Sequence, residues 1–500
     1  MRNNYSVEGL EAGWNLAFFD PTTTSFKVWL GVLKTNRKKK DNLLIEILDT
    51  EGKLIQSISS GTIQWRRPFQ GHERGFYSLL TINDLTPNTR YQVRVTEAFT
   101  QPDSNAPITD PGSGEPMVDT LIDGQCKTLP VSLPNNAETP FCVLLGSCLS
   151  QKYDGHSASN AVHALCDKES EKYHPDISVL AGDQVYLDLG IRGISTIPEE
   201  ISEYVGEKYA EAWMSLEGFL RNSACVNLAD DHEFWNNYPD FSTNEAVYLY
   251  PLRDKQVRSA FTAAALDGVR NVQQVKPVRI IKLGNDLSFC FADMRSDRTI
   301  KPRKLMNEDH FSEVLNWAEH LTTPGVLAIP QALFVEKGNG FDYNLPNFKD
   351  DYSRLLAALA KTGNDILILT GDVHYGRVAK SKLGNANIYE VIASPLSNIP
   401  GFSGTLATAT PPTEIPRFPQ ISVPGLPGKS KVTTIAEIEE VSDPLDFRYP
   451  DTRTREHFAT LGFSKTEGAG IQVDINYWAV RKFYKSGSPK KLESCTIYLK

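Results

Sequence analysis

The 500-residue chain has no Cys-x-x-Cys pair. Its seven cysteines, Cys126, Cys142, Cys148, Cys166, Cys225, Cys290 and Cys495, are scattered and odd in number. That excludes the disulfide framework of a small secreted scaffold. No apolar run approaches the ~18 residues of a spanning helix. The opening MRNNYSVEGLEAGWNL has no apolar core of the signal-peptide kind. The expectation is a soluble protein, cytoplasmic as written, in a reducing compartment. A formal net charge of −9 argues against a nucleic-acid-binding module. The one basic run, NRKKKDN at 36–42, falls between the strand-like SFKVWLGVL and NLLIEIL and reads as an exposed hairpin loop. No Walker-type or G-x-G-x-x-G loop occurs where a nucleotide needs one, and LGSCLS is not the G-x-S-x-G elbow of a serine hydrolase. There is no internal repeat.

What is present is an ordinary globular composition, 40% hydrophobic and 23% charged, long enough for two or three domains. Residues 14–128 read as short strands between turns, the pattern of a β-sandwich. Within them Leu85, Pro87, Thr89 and Tyr91 form L-x-P-x-T-x-Y. This resembles a fibronectin type III-like corner, where the tyrosine bonds back to the preceding turn. The loop 101–117 is rich in Pro, Gly and Asp. From about residue 138 the pattern changes. FCVLLGS and DISVLAGD are apolar throughout, as strands covered on both faces should be. Between them, 157–172 carries apolar residues at helical spacing, completing a βαβ unit. Later runs, including ACVNLADDHEFW, LSFCFADMRSDR, GVLAIPQALF and DILILTGDVHYG, each lead an apolar strand into a polar cluster. An α/β protein with its site at the carboxyl ends of its strands has this pattern. The proline-rich 401–430 is expected to be a loop or flap. The segments within 456–500 read as antiparallel strands that finish a sheet.

Four strand ends concentrate chemistry: Cys148 in LLGSCLSQ; Asp183 and Tyr186 in LAGDQVYLD; Asp230, Asp231, His232, Glu233 and Asn236 in LADDHEFWNNY; Asp372 and His374 in LTGDVHYGR. Like charges gathered at one sheet edge repel unless cations neutralise them, so bound metal is the natural explanation. Each cluster also has a plain structural reading. Gly-Asp after a strand is a common turn. Asp-Asp-His-Glu can be an N-cap with a charged first turn. Cys148 can be a small buried apolar residue. The joint occurrence, each time after an apolar strand, favours a site. Asp188 is left unassigned, with a solvated loop residue as its plain reading.

The order Ser-Cys, Gly-Asp-x-x-Tyr, Asp-Asp-His-Glu with Asn-Asn after it, and Gly-Asp-Val-His, with FADMRSDR supplying Asp293, Arg295 and Arg298, resembles the alkaline phosphatase D (PhoD-like) family of calcineurin-like metallophosphoesterases. The resemblance covers about 140–400. It implies a mixed α/β fold: a metallophosphoesterase β-sandwich flanked by helices over 138–500, preceded by a fibronectin type III-like β-sandwich over 1–130. It also implies hydrolysis of phosphate monoesters or diesters by a metal-bound hydroxide. One ion, ferric iron in the family, would be held by Cys148, Asp183, Tyr186 and His374. A second would share Asp183 and add Asp231 and Asp372, an all-oxygen shell that suits calcium, with manganese, magnesium or zinc as substitutes. Asp230 or Asn236 would serve a third. His232 would protonate the leaving alkoxide, and Arg295 and Arg298 would hold phosphate oxygens; a salt bridge from Arg298 to Asp297 or Glu308 is the competing reading. The expected partner is a small-molecule or polymeric phosphoester. A diesterase or phospholipase D-like activity on a phospholipid or polymer is the nearer alternative. A non-catalytic, metal-stabilised binding scaffold is the more distant one. Family members are often exported. His156, His163, His174, His310, His320 and His457 lack a strand-end setting and are taken as structural.

Overall fold

The computed structural model describes residues 13–33, 42–71, 75–99, 108–112, 117–189, 195–241, 250–338, 343–398, 417–426, 428–438, 455–468 and 470–500. The basic run up to residue 41, much of the loop 101–117, residues 242–249 and the first half of the 401–430 loop lie outside them.

Two large sheets face each other. The first has nine strands, in the order Pro489–Leu499, Ile471–Phe483, His457–Lys465, Phe141–Gly146, Ile177–Ala181, Ala224–Leu228, Asn15–Phe19, Phe26–Val32 and Phe76–Ile82. The second has seven: Val278–Leu283, Leu287–Ala292, Gly325–Ala328, Ile366–Thr370, Ala386–Ile392, Gly376–Leu383 and Thr433–Ile438. The apolar runs explain this layering. Val143, Leu145, Val179, Ala181, Val226 and Leu228 point inward and meet Phe289, Phe291, Val326, Ala328, Leu367 and Leu369 of the opposite sheet. The alternate residues Leu144, Leu180 and Cys225 point outward, under helices Ser157–Lys168, Pro198–Ser215 and Lys255–Asp267. On the far side Cys290, Leu327, Ile366 and Ile368 pack beneath helices Glu308–Glu319 and Lys349–Lys361. A strand that buries both faces has no polar face to show, which is why its sequence does not alternate. Each such side chain contributes about 1.5–3 kcal/mol on burial.

The N-terminal sandwich pairs a four-stranded sheet, Leu54–Ser59, Leu43–Leu48, Arg90–Ala98 and Val118–Lys127, with three strands of the nine-stranded sheet. Its strand Asn15–Phe19 runs parallel to Ala224–Leu228, with Phe18 opposite Ala224 and Phe19 opposite Cys225. One hydrogen-bonded sheet thus spans the N-terminal sandwich and the centre of the molecule. The tyrosine corner is present: Thr86 N–H donates to Tyr91 Oη at 2.9 Å. Tyr91→Phe is expected to cost about 1 kcal/mol, seen as a lower denaturation midpoint at unchanged slope; an unchanged midpoint would show that this bond is replaced by water at no cost.

The parallel strands decide where the chemistry lies. Phe141–Gly146, Ile177–Ala181 and Ala224–Leu228 are parallel in one sheet; Leu287–Ala292, Gly325–Ala328 and Ile366–Thr370 are parallel in the other. The carboxyl ends of five of them lead directly into the four polar clusters and into Asp293–Arg298, and Gly325–Ala328 leads to Gln331. Among the described residues no helix is long and apolar enough to cross a membrane.

Candidate metal centre

The turns after these strands are tight. Gly182 has φ +93°, and a Cβ there would lie 2.6 Å from Asp230 Cβ. At Gly371 a Cβ would lie 2.2 Å from Ser147 Oγ, so the strand ends of the two sheets touch at this point. Cys148 (φ 58°), Asp183 (φ 53°), Asp372 (φ 71°) and His374 (φ 54°) are all left-handed. For non-glycine residues that conformation costs about 1–2 kcal/mol each. It persists where the surroundings over-determine it, and it clusters at functional sites.

These turns gather the carboxylates. Oxygens of Asp183, Asp230, Asp231 and Asp372 lie within 4.8 Å of one another, and so do ligand atoms of Asp183, Asp231 and His232. Cys148 Sγ is 3.4 Å from Asp183 Oδ2, and Tyr186 Oη is 3.4 Å from His374 Nε2. All of these but Asp372 are buried. Burial, then Asp183 and Asp372, pushes the Cys148 thiol far up. Burial, then Cys148 and Asp183, does the same to the Tyr186 phenol. Burial and the neighbouring acids also raise Asp183, against the pull of His232. Asp230 Oδ2 is buried without a hydrogen-bond partner. A cation is what relieves such a set: it offsets the like charges, engages an orphaned oxygen and draws a thiol and a phenol into their anionic forms. The donor set therefore fits bound metal.

A supporting shell holds the turns. Glu233 is fully buried; its two oxygens accept from the N–H groups of Asp183 (2.9 Å), Gln184 (2.7 Å) and Asp230 (2.9 Å) and from Gln273 Nε2 (2.9 Å). Asn237 N–H donates to Asp231 Oδ2 at 2.6 Å. His374 Nδ1 lies 3.0 Å from Asn398 Oδ1. An amide oxygen only accepts, so Nδ1 carries the proton and Nε2, toward Tyr186, keeps its lone pair. Burial, then the charge of His232, holds His374 down to about 4, in the neutral form that ligates.

Asp188 is not a solvated loop residue. It is buried, and both its oxygens lie 2.9–3.0 Å from His232 Nδ1. Burial alone would lower His232, but Asp188, Asp183 and Asp231 hold it well above its usual value. Asn236 is placed by its backbone N–H, which donates to Asp188 Oδ2 at 3.0 Å. The arginines also differ from expectation. Arg295 does not present an open fork: Nε is spent on Asp230 Oδ1 and Nη1 on Tyr238 O, and Nη2 is 4.0 Å from Asp231 Oδ1. Arg298 forms no ion pair with Asp297 or Glu308. Asp297 faces His310, and Glu308 faces Lys304 and Arg354. Arg298 instead donates to Met294 O and to Gln331 Oε1 at 2.9 Å, lies over the Phe348 ring, and Gln331 Nε2 reaches Asp372 Oδ2 at 3.4 Å. Burial, then Arg295, lowers Arg298 to about 9. His156, His163, His174 and His320 face Met214 O, Asn222, Glu169 O and Asn316 O, away from these turns; His310 faces Asp297, and the backbone N–H of His457 donates to Pro395 O, beside the loop that meets His374.

No protein-family model matches the chain, and no curated protein matches it. Among solved structures, one titled "Structure of PhoD" is similar over 99% of this chain and 94% of that chain, with a TM-score of 0.57 at 15% identity. This shows a shared fold across the N-terminal sandwich and the helix-flanked sheets alike. A Parabacteroides merdae β-glucuronidase overlaps 72% of this chain and 40% of its own, at 9% identity and a TM-score of 0.27; overlap at that level carries no argument.

Proposed function

We propose that the chain hydrolyses phosphate esters with two cations held between the strand ends. The observation that carries this reading is the meeting of Asp183, Asp230, Asp231 and Asp372, the first three buried, beside a thiol and a phenol–imidazole pair, in a fold shared with the PhoD structure. Cys148, Asp183, Tyr186 and His374 would hold one ion, for which thiolate, phenolate and imidazole suit ferric iron. Asp183, Asp231 and Asp372 would hold the other, an oxygen shell suited to calcium, with manganese, magnesium or zinc as substitutes. When bound, the pair would polarise the phosphoryl group and acidify a water for attack at phosphorus.

The chain's own residues do the rest. Asp188 fixes the His232 ring through Nδ1, and His232 would give its other proton to the departing alkoxide. Arg295 would act as a fixed counter-charge on Asp230, not as a fork on substrate, which leaves Asp230 less suited to a third cation. Arg298, tied through Gln331 to Asp372, would contribute positive potential beside the phosphoryl group.

The test is metal analysis of the isolated protein with a panel of aryl phosphate monoesters and diesters. One to two equivalents of metal and turnover of either ester are expected, and the better ester assigns the class. No turnover with iron and calcium supplied would favour the metal-stabilised scaffold instead. Tyr186 adds a second prediction. Iron-loaded protein should be purple from phenolate-to-iron charge transfer, and Tyr186→Phe should bleach the band. An iron-free, fully active protein would reject iron while leaving hydrolysis intact.

A further inference from the structure

We infer that Glu456 and Arg481 are positioning residues for the metal centre. They lock the stretch 394–398, which ties Cys148 of one sheet to His374 of the other. The inference rests on the reading above, in which these two side chains hold one ion. Neither residue lies within 140–400, where the recognisable motifs sit.

Residues 394–398 touch both candidate ligands. Ser397 N–H donates to Cys148 O at 3.1 Å, Leu396 N–H donates to Ser147 O at 2.9 Å, and Ser150 N–H donates back to Ser397 O at 3.1 Å. On the other side His374 N–H donates to Ser394 Oγ at 3.2 Å, and its Nδ1 lies 3.0 Å from Asn398 Oδ1. The stretch is held in turn from the C-terminal strands. Glu456 is fully buried. Its Oε1 accepts from Asn398 N–H at 2.8 Å and its Oε2 from Arg481 Nε. Arg481 uses its remaining nitrogens on Tyr153 O (3.2 Å), Asp154 O (3.1 Å), Ser157 Oγ and Ser397 Oγ (3.4 Å). One guanidinium therefore joins strand Ile471–Phe483, the turn after Cys148 and the loop that orients His374.

Buried ion pairs are poor stabilisers compared with apolar residues of similar volume. What this pair supplies is direction. With Glu456 fixed, the Asn398 backbone is fixed, its side chain faces His374, and the ring presents Nε2. A partner bonded directly to a ligating histidine, as Asn398 would be, changes metal affinity by about 10–100-fold; Glu456 and Arg481 act one contact further out, at the lower end of that range.

The experiment loads the full-length protein with ferrous iron in air plus calcium, then challenges it with a graded chelator. Iron and calcium are counted separately, and the visible band is recorded. Glu456→Gln and Arg481→Met are expected to release iron at about 10-fold lower chelator concentration, with a shifted or lost band and calcium retained. Because a lone buried charge can unfold the chain, a Glu456→Leu/Arg481→Leu double variant accompanies them. It removes both charges of the pair, while Asp154, 3.8 Å from Arg481 Nη2, keeps its bond from Ala158 N–H, and it is expected to fold yet still lose iron early. Wild-type iron retention in folded single variants, or its full return in the double variant, would overturn the positioning role alone. Wild-type protein that takes up neither metal would overturn the metal reading and this inference together.

Discussion

Asp183→Asn is expected to strip the chain of its cations and to lower turnover of an aryl phosphate at least ~10³-fold, about 4 kcal/mol of transition-state stabilisation. Asp183 belongs to both groups of closely spaced ligand atoms. Its Oδ2 faces Cys148 Sγ, and its Oδ1 accepts the His232 N–H at 3.2 Å. Asparagine keeps the size and one acceptor oxygen but removes the charge that two ions would share. The fold should survive. In metal-free protein Asp183 is crowded by Asp231, Asp230 and Glu233, so a neutral side chain relieves repulsion. Metal-free Asp183→Asn should therefore melt no lower than metal-free wild type. The wild type should gain stability on loading, because a ligand that binds only the native state stabilises it by mass action; the variant should not. Paired melting curves with and without chelator, read beside metal content, test this. Near-normal turnover, or an equal chelator-induced shift in both proteins, would remove Asp183 from the bridging role.

The strands were legible because burial on both faces writes itself into composition: FCVLL has no polar partner position to interrupt it. The same feature hides which face is which. Nothing local assigns Leu144 to the helices and Val143 and Leu145 to the opposite sheet. Nor does sequence show that Phe18 pairs with Ala224, because a parallel register across two hundred residues leaves no mark on either segment. Nor does it show that the helical stretch before Ala224 breaks at Leu216 into Pro198–Ser215 and Glu217–Asn222.

The candidate ligands were legible for a different reason. Each follows directly on a buried strand, and a carboxylate or thiol there is conspicuous. Their supports were not. Gln331, Asn398 and Glu456 sit in ordinary-looking loop sequence, and what they bond is decided only when the two sheets close on each other. Asp188 is the instructive case. It stands two residues beyond Tyr186 in LAGDQVYLD, close enough that a second carboxylate near His232 could have been suspected. The left-handed backbone at Cys148, Asp183, Asp372 and His374 was beyond reach, since none is glycine and the enrichment of Asp and His in that region is too weak to place it.

His232→Asn is expected to lower turnover of an alkyl phosphate by about 10²–10⁴-fold, and far less for an aryl ester whose leaving group departs without a proton. This contrast separates two roles that the geometry allows. His232 lies close enough to Asp183 and Asp231 to ligate a cation. Yet its Nδ1 is committed to Asp188, and the surrounding carboxylates favour the imidazolium, which cannot ligate. As a proton donor, its loss should leave metal content at the wild-type level and discriminate between leaving groups. As a ligand, its loss should deplete metal and slow all esters alike. Asp188→Asn is expected to follow the first pattern more weakly, because an amide can still accept from Nδ1–H but no longer supplies the charge that keeps the ring protonated. A steeper leaving-group dependence in both variants, with metal retained, supports the dyad. Equal slowing of alkyl and aryl esters with metal loss would make His232 a ligand and Asp188 its support.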